Sequence, residues 1–270
     1  MTLKTGFAAL AATLALASAA AAQDIKIGLT GPFTGGSSSM GVSMRDGVKL
    51  AVEEINAAGG VDVGGKKTKI TLIERDDEAK NELGVQIAQE LINKEKVTAT
   101  VGFINTGVSL ASQRFYQEAE IPVMNNVATG TLVAKQFPAP NYIFRTSAND
   151  AIQSSMIVDE AIVRQGFKKP AIMADSTNYG QLGRTDLEAA LAAKGVKAVA
   201  VEKFNVKDTD MTAQLLRAKE AGADVLLTYA IGPELAQLAN GMAKLGWKVP
   251  MIGSWTLSMA SFIDTAGANG

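Results

Sequence analysis

The sequence predicts an α/β fold built from two mostly parallel sheets, each flanked by helices. Three observations predict it. From Asp24 to Ile252, short apolar runs alternate with stretches whose apolar residues recur at helical spacing. The apolar runs are continuous rather than every-other-residue, which is the pattern of strands covered on both faces. The rhythm restarts after Arg145 to Asn149, so there are two sets, expected as lobes over residues 23–145 and 146–270.

In the first set, Ile25 to Leu29 is a buried strand ending at the turn residues Gly31-Pro32. Met44, Val48, Ala51, Val52 and Ile55 fall on one helical face. That helix stops at Gly59-Gly60, where glycine permits the left-handed end geometry. Gly64-Gly65 reads as a hairpin-like turn. Ile70 to Ile73 is a strand, Val85 to Ile92 a helix, Val97 to Val101 a strand, Ser109 to Glu118 a helix, and Ile121 to Met124 and Tyr142 to Phe144 strands. In the second set, helices are expected over Ile152 to Arg164, Leu182 to Ala193, Met211 to Lys219 and Leu235 to Leu245. Strands are expected over Ala171 to Ala174, Val196 to Val201, Val225 to Tyr229 and Val249 to Ile252.

Residues 1–22 read as an export leader. Lys4 supplies the basic start, Phe7 to Ala17 the apolar stretch, and Ala20-Ala21-Ala22 a small-residue cleavage site before Gln23. The apolar run is too short and too alanine-rich for a membrane anchor. Without a cysteine after the cleavage site there is no lipid attachment point, so a free protein of the periplasm is expected.

Composition narrows the function. The chain has 270 residues, no cysteine, no histidine and a net charge of −1. Disulfides and thiol chemistry are excluded. The commonest general base and transition-metal ligand is absent. A nearly balanced charge gives no electrostatic case for nucleic acid or an anionic membrane. No nucleophile, base and oxyanion donor assemble in the sequence, so a non-enzymatic role without a cofactor is expected.

In sheets of this kind ligands bind beyond the carboxyl ends of the strands. The loop Thr30 to Gly41 is rich in glycine and hydroxyls, yet it lacks the Gly-Lys-Ser/Thr ending of a phosphate loop and makes no G-x-G-x-x-G. A plain strand-to-helix connection is its ordinary reading. Gly102 to Gly107 and Asn125 to Gly130 each place amides and hydroxyls at an expected helix start. Those groups either cap the helix or meet an anion there. Asp76-Asp77-Glu78 suits a helix start or charged surface better than a metal site. Glu53-Glu54 reads as a solvated face. Tyr179 and Trp255 fall in expected loops after strands, where an aromatic ring can wall a pocket.

Several blocks together resemble the leucine/isoleucine/valine-binding family of periplasmic receptors for ABC importers. They are Asp24-Ile25-Lys26-Ile27-Gly28, Gly31-Pro32-Phe33-Thr34-Gly35, Asp46 to Val61, Arg75-Asp76-Asp77, Asn178-Tyr179-Gly180 and Gly222-Ala223-Asp224. The resemblance implies the type I periplasmic binding fold: two lobes that close on a ligand about a hinge, and an inner-membrane permease as partner. It implies that Asn105, Thr106, the backbone of Ala128 beside Val127, and Thr129 hold a ligand carboxylate, and that Tyr179 covers the ligand. Met40 and Ile231 stand where such receptors carry aromatic residues. Trp255 stands where an acidic residue holds the ligand ammonium. A buried ammonium without a counter-charge is costly, so the departure points to an amine-free carboxylate, with an amino acid as the alternative if another acidic residue replaces the missing one. The family also includes receptors for aromatic carboxylates, urea and amides, and a sensor feeding a regulatory partner is the alternative role. Family members continue well past a position like Gly270, so the C-terminal part is expected to be missing here.

Overall fold

A computed structural model describes residues 25–270 of the chain; the expected leader over residues 1–22 lies outside them. The first set of elements runs β1 (Ile25–Gly31), α1 (Ser38–Ala57), β2 (Val61–Val63), β3 (Lys66–Thr68), β4 (Ile70–Asp76), α2 (Asn81–Glu90), β5 (Ala99–Gly102), α3 (Thr106–Glu118), β6 (Val123–Asn125) and β7 (Ile143–Arg145). The second runs α4 (Asp150–Val158), β8 (Pro170–Asp175), α5 (Asn178–Ala193), β9 (Ala200–Phe204), α6 (Thr212–Glu220), β10 (Val225–Tyr229), α7 (Gly232–Lys244), β11 (Met251–Gly253) and α8 (Ala260–Ala266). Helices α2 and α4 each run on into a short π-helical segment, over Leu91–Glu95 and Asp159–Arg164.

The first sheet has the order β4-β1-β5-β6-β7 and the second β11-β10-β8-β9, with every pair in both parallel. Parallel pairing brings all the carboxyl ends of a sheet to one edge, and both edges supply the residues described below. The small antiparallel pair β2–β3 is closed by Gly64-Gly65.

The continuous apolar runs divide between two cores because successive side chains leave a strand on opposite faces. On β8, Ala171 and Met173 pack with Phe204, Leu215, Leu226, Leu235 and Trp247. Ile172 and Ala174 pack on the other face with Ile157, Val158, Leu187, Leu227 and Tyr229. A leucine buried as completely as Leu187 or Leu226 contributes about 1.5–3 kcal/mol. In the first sheet, Val123 and Phe103 pack with Val108 and Tyr116 of α3, whereas Leu29 faces Met44 of α1.

The structure moves several expected elements. The strand expected over Val196 to Val201 lies at Ala200–Phe204, an edge strand with alternating burial. Val196 and Ala198 instead pack into the core from the connection before it. No helix follows β6: Asn125 is fully buried, accepting from Ser109 Oγ at 2.6 Å and donating to the Phe144 carbonyl at 3.0 Å. The chain then makes turns. Asp76 and Asp77 do not cap α2, whose N-cap is Lys80. They brace the first loop. Asp76 accepts from Phe33 N at 2.8 Å and Thr34 Oγ1 at 2.7 Å, and Asp77 accepts from Thr30 Oγ1 at 3.3 Å. The connection after β1 is therefore pinned, and its last residues, Ser38 to Gly41, already belong to α1.

Candidate ligand-binding cleft

The carboxyl ends of both sheets face a narrow hollow lined by Met40, Ile104, Asn105, Thr106, Thr129, Tyr179, Ile231, Trp255 and Thr256. Seven of the nine residues singled out from the sequence meet here. Met40 comes from the first turn of α1, Asn105 and Thr106 from the start of α3, and Thr129 from the segment after β6. Tyr179 lies in the first turn of α5, not in a loop. Ile231 is the N-cap of α7, and Trp255 opens a short 3-10 turn after β11.

Two residues fall elsewhere. Val127 lines two neighbouring hollows that Trp255 also borders. Ala128 is fully buried, and its N–H already donates to the Phe103 carbonyl at 3.0 Å. That amide is not free for a ligand carboxylate. Ile104 and Thr256 were missed. Each sits one residue beyond a residue singled out, and an apolar strand-end residue and a lone threonine carry no distinguishing sequence signal.

Local backbone geometry sets the first-lobe wall. Gly102 has φ 149°, and a Cβ there would lie 2.0 Å from the Thr30 carbonyl oxygen. Phe103 follows with φ 64° and donates its N–H to the same oxygen at 3.0 Å. This tight exit from β5 brings Asn105 to the N-cap of α3. Asn105 nonetheless makes no capping bond with its side chain. Its Nδ2 reaches Ser37 Oγ at 3.5 Å, and its Oδ1 is buried without a partner. Turning the amide over would let Ser37 donate to Oδ1 and present the NH₂ to the hollow. Thr106 Oγ1 accepts from Gly130 N at 3.2 Å, which leaves its proton available.

The opposite wall is a relay of hydroxyls. Tyr179 Oη and Ser254 Oγ are 2.7 Å apart, Ser254 Oγ and Thr256 Oγ1 are 2.8 Å apart, and Thr256 donates to the Ala230 carbonyl at 2.6 Å. Tyr179 packs on Tyr229 with ring centroids 5.0 Å apart. Burial pushes both phenols well above their ordinary range, so both stay neutral. The indole Nε1 of Trp255 is buried without a partner.

Among the described residues, no charged side chain lines the hollow or the two beside it. The buried carboxyls nearby, Asp150 and Asp175, are each bonded through Oδ1, while Oδ2 of both is buried without a partner. Asp150 accepts from Tyr229 Oη at 2.8 Å, and Asp175 accepts from Thr177 N at 2.9 Å and from Thr177 Oγ1. Burial pushes Asp150 up to about 6 and Asp175 in the same direction. The cleft is therefore a neutral chamber with hydrogen-bond donors and an aromatic wall. Among the described residues no cluster could hold a metal ion, and no helix is long and apolar enough to cross a membrane.

The family model described as periplasmic binding protein matches residues 24–270. Leu/Ile/Val-binding protein homolog 3 of Brucella melitensis is 29% identical over 262 residues, which is 97% of this chain and 69% of that protein. The branched-chain amino acid transporter substrate-binding protein of Streptococcus pneumoniae, solved with isoleucine, superposes with a TM-score of 0.79. It is 25% identical, over 91% of this chain and 68% of that one. A solute-binding protein of an ABC transporter from Rhodopseudomonas palustris, solved with 3,4-dihydroxybenzoic acid, superposes with a TM-score of 0.77. It is 26% identical, over 91% of this chain and 66% of that one. The chain spans between 58% and 69% of the length of the curated relatives it matches.

Proposed function

The chain belongs to the periplasmic binding protein family, in the branch that holds the Leu/Ile/Val-binding proteins, and from that premise we propose that it captures a small carboxylate for an ABC importer. It works in the periplasm, delivers its ligand to a membrane permease, and turns nothing over. One observation carries the ligand class: the cleft combines an unpartnered indole N–H, that of Trp255, with a lining free of charged side chains. Trp255 Nε1, the Thr106 hydroxyl and the Asn105 amide can each donate to a carboxylate. Nothing lining the cleft can neutralise an ammonium, and burying one there without a partner costs several kcal/mol. An amine-free carboxylate, aliphatic or aromatic, therefore fits better than an α-amino acid.

The amide oxygens of Asn105 and Asn126, both buried and unpartnered, favour one second reading, a primary amide or urea that donates to them. Capture proceeds by closing the two lobes about residues 145–149, because a ligand touching both walls stabilises the closed arrangement preferentially.

A thermal-shift screen of amino acids, aliphatic and aromatic carboxylates and primary amides tests this reading. A carboxylate at 100 times its Kd adds about 2.7 kcal/mol to the folded state, a rise of roughly 5–10 °C for a chain of this size. A response to amides alone supports the second reading. A response to leucine or valine alone contradicts both.

A further inference from the structure

Helix α5 belongs to the second lobe and carries Tyr179 to the cleft, yet it also rests on the first lobe. At its start, Asn178 stands against Gly107 in the first turn of α3. A Cβ at Gly107 would lie 2.7 Å from Asn178 Oδ1 and 2.7 Å from Asn81 Oδ1, one side chain from each lobe. Glycine is what lets α3 and α5 approach this closely. Two turns further along α5, Asp186 Oδ2 accepts from Thr131 Oγ1 at 2.7 Å.

Thr131 is fully used at this point. Its single proton goes to Asp186, and its oxygen accepts from Ala151 N, at the start of α4, at 2.9 Å. The residues before it are held as well. The carbonyls of Thr129 and Gly130 accept from Arg145 Nη1 at 3.3 and 2.9 Å, and the Thr129 carbonyl also accepts from Asp150 N at 3.0 Å. Gly130 N donates to Thr106 Oγ1 at 3.2 Å. Segment 129–131 is therefore bonded to a threonine of the cleft, to both ends of the crossing at 145–150, and to α5. Gly107, Thr131, Asn178 and Asp186 do not line the hollow, but the first three lie within two residues of Thr106, Thr129 and Tyr179, which do. Thr131 and Asp186 are both half-buried, and a hydrogen bond to a carboxylate is about twice as strong as a neutral one. When the lobes swing apart about 145–149, Asp150 and Ala151 stay beside the axis and keep their bonds. Asp186 lies further out along α5 and is carried away from Thr131.

We propose that Asp186 and Thr131 form a latch between the lobes. They are positioning residues: they touch no ligand, hold α5 on the first lobe, and so set Tyr179 over the cleft. This rests on the hinge-closing reading above and names a contact that closure makes. Apparent affinity scales with the fraction of molecules in the binding-competent arrangement. Loss of the latch should therefore weaken every ligand by the same factor, through faster release.

The chain has no cysteine, so spin labels can be placed selectively with Ser39→Cys and Ser258→Cys. These exposed positions lie on α1 and on the turn after β11, whose neighbours Met40 and Trp255 line the same hollow. In the ligand-free protein, Asp186→Ala should lengthen and broaden the label separation relative to the labelled parent. Asp186→Asn, whose amide oxygen still accepts from Thr131, should restore most of the shorter separation. Calorimetry and stopped-flow binding should show benzoate and 4-methylpentanoate each weakened about three- to tenfold in Asp186→Ala, within twofold of one another, with the change in the dissociation rate. Thr131→Val should do the same, and the double variant should be no weaker than either alone, because both remove one bond. A separation that shortens with saturating benzoate but is the same in Asp186→Ala as in the parent overturns the latch and leaves hinge closing standing. A separation that neither ligand nor variant alters overturns both. An affinity ratio of the two probes that moves more than threefold in Asp186→Ala, or additive losses in the double variant, also overturns the latch. If neither probe binds, the carboxylate reading falls, and the ligand-free separations decide the latch by themselves.

Discussion

Replacing Gly183 with alanine should displace the aromatic wall of the cleft. Gly183 lies in α5 against Tyr229, and a Cβ there would sit 2.0 Å from Tyr229 Cδ1, 2.2 Å from Cγ and 2.5 Å from Cε1. Ordinary contact begins near 3.4 Å, so the ring must move by more than an ångström. It has no free space, because Tyr229 is fully buried, bonded to Asp150 at 2.8 Å and packed on Tyr179. Overpacking costs about 1–3 kcal/mol, and a weakened buried hydrogen bond adds about 1 kcal/mol. The melting temperature should fall by roughly 5–15 °C. Gly47→Ala is the control: Gly47 is also helical, but a Cβ there meets nothing within 4 Å. That change should stabilise by about 0.5–1 kcal/mol. Scanning calorimetry on both variants reads the contrast, and the shifted Tyr179 should also weaken benzoate binding in Gly183→Ala. A Gly183→Ala protein as stable as the Gly47→Ala one would refute the packing argument.

Three further outcomes are expected. Trp255→Glu supplies the missing counter-charge, so the affinity ratio of leucine to its amine-free analogue 4-methylpentanoate should rise at least tenfold, read by competition binding. Thr129→Val removes a hydroxyl from the hollow and should weaken carboxylates about five- to tenfold by calorimetry; unchanged affinity would remove Thr129 from the site. Asp77 and Asp150 are fully buried, and burial raises each to about 6 from 3.8. The folded state then holds protons that the unfolded state has lost, so this contribution is complete below about 3.8 and disappears as pH rises through 6. Urea midpoints should therefore be higher at pH 5 than at pH 7.5, each carboxyl contributing at most about 3 kcal/mol, and Asp150→Asn should narrow the gap.

Much of the fold was legible because burial on both sheet faces leaves continuous apolar runs. Val225 to Tyr229 is one, and the structure makes it a central strand with the same limits. The edge strand Ala200–Phe204 was misplaced for the converse reason. Its exposed positions carry Val201 and Lys203, so its pattern alternates, while the apolar Val196 before it looks more strand-like. The short strands of the β2–β3 hairpin are exposed almost throughout and had no apolar signal; only their Gly64-Gly65 turn did. The start of α5 could have been read earlier, since Thr177 accepts from Gly180 N as an N-cap should. That cap moves Tyr179 from loop to helix.

The cleft was legible by a different route. Loops after strands point to a shared edge once the strands are parallel, so the loops carrying Asn105, Thr129, Tyr179 and Trp255 were candidates before any coordinates, and the family resemblance grouped them and added Met40. Which atoms are free could not be read this way. Ala128 N–H is consumed by Phe103 O because Gly102 and Phe103 adopt positive φ. The unpartnered indole of Trp255 depends on where β11 joins its sheet, and strand order is set by packing across the sheet rather than by local sequence.

The measurement that bears most directly on the account is titration calorimetry of the unmodified chain with leucine and with 4-methylpentanoate, at one pH and one salt concentration. The two differ only in the α-ammonium. The neutral cleft predicts that the amine-free acid binds at least tenfold tighter, because nothing lining the hollow pairs with a cation. Tight binding of leucine with no response to 4-methylpentanoate would contradict it.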